Sequence, residues 1–118
     1  MADIRSENEQ LARAFTEEIL EGYRYLARTI RYRAKAFLEM VTMQGGVGAA
    51  QILLRGAQAS DGFTRLWEEG MLGRSVEASV LKPEYKPLFT DVERDAARSR
   101  LEAHGFDVDA FLARRRTT

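Results

Sequence analysis

Four basic residues recur at helical spacing in the N-terminal third of the chain. The positions i, i+4, i+7 and i+11 are occupied by Arg24, Arg28, Arg31 and Lys35, and residues 22–38 contain no acidic residue. On one continuous helix these side chains share a face, here called the basic stripe, over about 17 Å of axis. Arginines at this spacing can neutralise successive phosphates, because their forked guanidinium groups match phosphate geometry. The basic stripe therefore predicts a surface for nucleic acid or for an acidic protein.

Three neighbouring residues complete the predicted binding surface. Tyr25 and Tyr32 lie one step around the helix and are expected to add stacking or hydrogen bonds, while Arg33 adds a further phosphate contact. Contacts of this kind to a nucleic-acid backbone carry little sequence information, so low sequence specificity is expected. The alternative interpretation of the same residues is a solvated face that only keeps the helix soluble.

Charge is balanced over the whole chain but unevenly distributed along it. Eighteen Lys+Arg residues face eighteen Asp+Glu residues, so the formal net charge is zero. Residues 60–95 contain eight acids and five bases, whereas residues 22–38 contain five bases. An electrostatic partner must therefore be attracted by a local patch, and the acidic segment of a second copy is one such partner.

The residue types leave little room for catalysis. Cysteine is absent, which excludes disulfides, thiolate metal sites and cysteine nucleophiles. His104 is the only histidine, and its place before Gly105 favours a helix C-terminus over a triad or metal ligand. No paired acids have neighbours that would separate their pKa values. We therefore expect a non-enzymatic protein without a metal or cofactor.

The sequence also gives an expectation for location. The N-terminal residues resemble neither a secretory signal nor a transit peptide, and no apolar run approaches the length of a bilayer span. We expect a cytoplasmic protein that does not enter a membrane.

The N-terminal segment, residues 7–43, carries the pattern of a long amphipathic helix or helix pair. Ser6 and Glu9 fit a capping box, which predicts a helix start at Ser6. Apolar residues then recur every three or four positions as far as Gly45. Two helices with a break near Thr29–Tyr32 are an alternative to one continuous helix, since a β-branched Thr-Ile pair lowers helix propensity there.

Residues 47–116 predict a cluster of short helices. The first is expected over Val47–Leu54, after the Gly45-Gly46 pair. Pro87 is expected to keep the chain extended before the last two helices. The predicted N-caps of the other helices are Ser60 or Asp61, Ser75, Thr90 and Asp107.

These elements predict an all-α fold in a single domain, residues 1–118, with about five or six helices. Phe63, Trp67 and Phe89 are expected in the core because aromatic residues make up only 9% of the chain and the core needs them. Met40 and Met43 are expected either to fill gaps or to line a groove for a partner.

Residues 32–106 resemble a group of short, uncharacterised bacterial proteins. The motifs that carry the resemblance are Phe37-Leu38-x-Met40-Val41, Ser60-Asp61-Gly62-Phe63-Thr64-x-Leu66-Trp67-Glu68 and Pro87-Leu88-Phe89-Thr90. The resemblance implies a bacterial origin and no particular activity. Its pattern has glycine where this chain has Arg31. That difference favours a longer continuous first helix here.

Two functional hypotheses follow from these observations. The first is a non-catalytic helical binding protein or subunit that contacts nucleic-acid backbone, or a nucleoprotein complex, through the basic stripe. The second is a protein–protein interaction module, either a homo-oligomer or a regulator or inhibitor of a larger enzyme. The two differ in salt dependence, because phosphate contacts weaken steeply with salt and apolar helix contacts do not.

Overall fold

Six α-helices and two 3₁₀ turns make up the computed structural model, which describes residues 4–116. This described part contains no β-strand and forms one compact unit, which confirms the predicted all-α fold and helix number. In chain order, the helices are α1 (Ile4–Thr29), α2 (Lys35–Arg55), α3 (Asp61–Glu68), α4 (Val76–Val80), α5 (Asp91–Ala103) and α6 (Val108–Arg116). The 3₁₀ turns are Leu72–Arg74 and Pro83–Leu88.

The start of α1 differs from the sequence prediction. The helix already includes Ile4 and Arg5, so Ser6 lies within its first turns and not at its N-cap. A capping serine needs extended backbone geometry ahead of the helix, which Ser6 does not have here. The predicted Ser6–Glu9 capping box is therefore wrong, although Glu7 does place a negative charge in the first turn.

The N-terminal segment forms two helices with a sharp break between them. α1 ends at Thr29, and Arg31 has a φ of 55°, in the left-handed region. The Arg65 side chain donates a hydrogen bond to the Ile30 carbonyl oxygen at 3.2 Å, which ties the break to α3. The predicted break is thus confirmed, whereas the longer continuous helix inferred from Arg31 is wrong.

Replacing Arg31 by glycine is expected to stabilise the protein by about 0.5–1 kcal/mol. A left-handed conformation is costly for a residue with a side chain and free for glycine, although glycine also gains more entropy in the unfolded state. The free energy of unfolding in urea, followed by Trp67 fluorescence, measures the change. Arg31→Ala is the control and is expected to leave stability nearly unchanged. Equal effects of the two substitutions would contradict a strained Arg31.

α2 packs antiparallel to α1 and contains a kink. Gly45 has φ 75° and ψ 168°, so the helix is interrupted at the glycine pair as the sequence predicts, but its second half resumes at once at Gly46. The Gly46 N–H donates to the Thr16 hydroxyl at 3.1 Å. With Ala49 and Ala50, which are also buried, Gly46 lets the two helices approach closely.

The short helices begin at the predicted caps. Ser60, Ser75, Thr90 and Asp107 each accept a backbone hydrogen bond from the first turn of the following helix. Pro87 itself lies inside the 3₁₀ turn Pro83–Leu88, and the chain after this turn is extended at Phe89 and Thr90, as predicted. The fixed φ of proline suits a 3₁₀ turn as well as an extended chain.

The core is centred on α1 and is closed by the short helices. Phe15 is fully buried, and its ring meets Tyr85 and Phe89 at centroid distances of 5.1 Å each. Phe63 and Phe89 are buried as predicted. The prediction for Trp67 is wrong: its side chain is 49% exposed and packs edge-on against His104. Phe63 and Leu66 occupy the inward face of α3, so Trp67 falls at its edge.

The length and composition of α2 correct the expectation that no apolar run approaches the length of a bilayer span. The helix is long and apolar enough, by length and composition alone, to cross a membrane. Core helices of globular proteins and signal sequences pass the same test; in this structure α2 packs against α1, α4 and α5, and 28% of its apolar stretch is buried.

Candidate binding cleft

The structure does not keep the basic stripe on one helix. Arg24 and Arg28 remain on α1, whereas Arg31 lies in the break and Lys35 begins α2. Because the left-handed residue redirects the chain, the four side chains no longer share one helical face. The stripe geometry predicted from the sequence is therefore wrong.

The two arginines that remain on α1 share an acidic partner. Glu21 accepts a hydrogen bond from Arg24 at 3.1 Å and lies 3.8 Å from the Arg28 guanidinium. All three side chains are exposed, so these ion pairs add little stability. Glu21 lies just outside the acid-free segment, which is why the sequence pattern did not reveal the pairing.

The other basic residues of the predicted surface form no ion pairs with the described residues. The side chains of Arg31, Arg33 and Lys35 are exposed and have no ion-pair partner among the described residues. Arg33 and Lys35 also line a large open cavity among the described residues, whereas Arg31 does not. Part of the predicted binding surface thus survives, but it lies at the edge of a cavity.

Both predicted tyrosines make contacts within the protein. The Arg74 guanidinium lies 3.9 Å from the centre of the Tyr25 ring, so one face of that ring is covered by a cation–π contact. Burial raises the pKa of the Tyr32 phenol; the Asp61 carboxylate acts in the same direction, and Arg65 opposes it. Tyr32 therefore carries a neutral hydroxyl at neutral pH, next to the start of α3.

A large open cleft lies between α1, the first half of α2, α3 and α4. Its volume is about 680 Å³, within the range of ligand sites in proteins. Half-exposed side chains from α2 meet buried side chains of α1 and α3 there. Its main apolar lining residues are Ile19, Leu26, Phe37, Met40, Phe63 and Leu66.

A polar cluster closes the end of the cleft farthest from the break. Glu18 accepts hydrogen bonds from Lys82 at 2.7 Å and from the Tyr85 hydroxyl at 3.0 Å. Lys82 is therefore already neutralised. This end of the cleft offers no unpaired charge to a ligand.

A second ion pair is buried in the wall of the cleft. Glu77 on α4 is 2% exposed in its side chain and pairs with Arg100 on α5 at 3.0 Å. Arg100 also donates to the carbonyl oxygens of Leu53 and Gly56, at 3.1 and 2.7 Å. The pair therefore fixes α4 and α5 to the end of α2.

Neither a cluster of metal-binding side chains nor the histidine contributes to the cleft among the described residues. No group of three or more metal-binding side chains occurs among the described residues. His104 lies outside the cleft at the C-cap of α5, where its Nδ1 is 2.8 Å from the Arg100 carbonyl oxygen. The helix-end position predicted for His104 is thus confirmed.

Sequence reasoning identified part of this cleft. Met40, expected either to fill a gap or to line a partner groove, does line the cleft, whereas Met43 is 80% exposed and lies outside it. Ile19, Leu26 and Phe37 were recognisable only as apolar helix positions, because the pattern does not show which of them remain uncovered. The chain matches no protein family, no curated protein and no solved structure.

Proposed function

We propose that the protein is a non-catalytic interaction module that holds an amphipathic helix of a partner protein in its cleft. The observation that carries the proposal is the open apolar cleft bordered by half-exposed Phe37 and Met40. A groove between packed helices is a common receptor for the apolar face of another helix. A concave cleft lined mainly by apolar side chains is the usual form of a binding site. The lack of cysteine favours the cytoplasm as its compartment.

The dimensions of the cleft suit a short helix. The lining residues of α1 extend from residue 18 to residue 26, a rise of about 12 Å. The apolar anchors of a docked helix recur at i, i+3 or i+4, and i+7, and so span about 10 Å. One such set of anchors fills the cleft along α1.

Nucleic-acid binding is the second candidate function. It is favoured by the charges of Arg31, Arg33 and Lys35, the three residues of the predicted surface that are exposed and have no ion-pair partner among the described residues. The other predicted contacts are weaker candidates, since Arg24 and Arg28 pair with Glu21. Tyr25 and Tyr32 are also engaged, and a backbone ligand would leave the apolar cleft unfilled. Helix docking is therefore our leading proposal.

Substituting Met40 by glutamate tests helix docking. The variant places a charge in the cleft, so affinity for amphipathic helical peptides selected by display on the parent protein is expected to fall about tenfold or more. Met43→Glu is the matched control, because Met43 is one turn away and exposed outside the cleft. Fluorescence anisotropy measures the affinities, and circular dichroism checks folding. Equal affinities of both variants for the peptides would refute docking in the cleft.

A further inference from the structure

We infer that the partner helix carries acidic side chains at the end that passes Arg33 and Lys35. This inference rests on the proposed function and adds the chemistry and the register of the partner. It follows from the ion pairs around the cleft. Some charged side chains there are paired within the protein, and others have no ion-pair partner among the described residues.

The acidic side chains of the cleft are largely occupied. Glu18 pairs with Lys82, and Glu77 pairs with Arg100. Glu21 is shared between two arginines of α1. Asp61 lies in the first turn of α3, where its charge interacts favourably with the helix dipole. The acids therefore offer little attraction to a basic partner.

The free cations of the cleft lie together at one end. Arg33 and Lys35 flank the N-terminus of α2, and neither has an ion-pair partner among the described residues. Because α2 runs antiparallel to α1, this end is opposite the cluster formed by Glu18 and Lys82. The cleft thus has one neutralised end and one end with net positive charge, where Arg33 and Lys35 outnumber the carboxylate of Asp61 near Tyr32.

The positive end has further support from its surroundings. The first turn of α2 contains no acidic residue, and no side chain caps its N-terminus, so the helix dipole adds to the potential of the two cations. Arg74 also lines the cleft, where its guanidinium covers one face of the Tyr25 ring. Complementary charge at an interface fixes orientation and raises the rate of association.

An acidic helix fits these observations better than a polyphosphate. The two cations border an apolar cavity of about 680 Å³, which needs an apolar occupant. An amphipathic helix supplies both features, because its apolar anchors fill the cavity and its flanking carboxylates reach the cations. A nucleic-acid backbone would contact the cations alone.

The test uses two peptides and four proteins. The first peptide is an amphipathic helix selected on the parent protein and carrying glutamates at one end, and the second has lysines at the same positions. The parent is compared with Arg33→Glu/Lys35→Glu, with Met40→Glu and with Arg13→Glu/Lys86→Glu. The last variant is the matched control: it changes the charge equally, at exposed residues outside the cleft.

We expect the parent to bind the acidic peptide at least tenfold more tightly than the lysine peptide, and Arg33→Glu/Lys35→Glu to reverse that order. The control variant is expected to change either affinity by no more than about threefold. Raising the salt concentration is expected to reduce the preference for the acidic peptide.

Other results would overturn the inference in distinguishable ways. If Met40→Glu weakens both peptides while Arg33→Glu/Lys35→Glu preserves the parent's preference, the acidic register is wrong and helix docking stands. If no selected peptide responds to Met40→Glu, the proposed function itself fails. If single-stranded or duplex oligonucleotides bind, lose affinity in Arg33→Glu/Lys35→Glu and keep it in Met40→Glu, the free cations serve nucleic acid.

Discussion

Replacing Arg100 by alanine is expected to lower the free energy of unfolding by about 3–5 kcal/mol. The substitution leaves the Glu77 carboxylate, which is 2% exposed, without its cationic partner. It also removes two hydrogen bonds that Arg100 donates to the end of α2, at Leu53 and Gly56. A buried charge without a partner keeps its full desolvation cost, so the loss exceeds that of an ordinary hydrogen bond. Urea unfolding followed by circular dichroism measures the difference.

Two further variants separate burial from charge. Arg98 lies on the same helix and pairs with Glu102 and Asp109 at the surface, so Arg98→Ala is expected to cost less than about 1 kcal/mol. Glu77→Leu combined with Arg100→Leu is expected to cost less than Arg100→Ala, because no charge remains buried. Similar losses for Arg98→Ala and Arg100→Ala would show that the buried pair has no special role in stability.

The helix starts were the most predictable part of this fold. Ser75 and Thr90 cap their helices through hydrogen bonds that close within three residues, so the sequence alone contains the whole interaction. The same locality explains the break at Gly45, where a positive φ is available to glycine without strain. The prediction of a capping box at Ser6 was wrong because it also used local residues alone. A serine can cap a helix only if the residues before it are not already helical.

The path of the chain after α1 was much less predictable. The basic stripe assumed that Arg24 and Lys35 belong to one helix, and a single left-handed residue, Arg31, removed that assumption. Arginine is uncommon in that conformation, so its residue type favoured the wrong alternative. Contacts such as the bond from Arg65 to the Ile30 carbonyl, across the fold, support the break.

The cleft could not be derived from periodicity for a different reason. An apolar face in the sequence indicates that one side of a helix packs against the protein. It does not indicate how much of each apolar side chain remains exposed. Leu26 is buried at the cleft, whereas Phe37 on α2 remains half-exposed, and both follow the same pattern in the sequence. Trp67 shows the converse: it is large and apolar, yet Phe63 and Leu66 occupy the inward face of its short helix.

Replacing Gly46 by alanine is expected to destabilise the protein by about 3 kcal/mol. A methyl group at this position would overlap the Thr16 hydroxyl oxygen and would lie 2.8 Å from the Thr16 Cα atom, closer than real Cβ contacts. Alanine has a higher helix propensity than glycine, which would stabilise the variant by about 1 kcal/mol. The steric cost is larger, because α1 and α2 would have to separate along their shared interface. That separation would also lengthen the hydrogen bond from the Gly46 N–H to the Thr16 hydroxyl. Thermal and urea unfolding measure the net effect.

Two comparisons decide whether close helix approach is the cause. Gly22→Ala, on α1, places its methyl 4.0 Å from the nearest atom, so this control is expected to gain about 0.5–1 kcal/mol from helix propensity. Adding Thr16→Ala to Gly46→Ala is expected to restore only part of the loss, because it removes the overlap with the Thr16 hydroxyl but leaves the contact with the Thr16 Cα atom. If the double variant regains the full stability of the parent, the methyl group that Gly46→Ala adds conflicts only with the Thr16 side chain. The backbones of α1 and α2 would then have room to approach more closely.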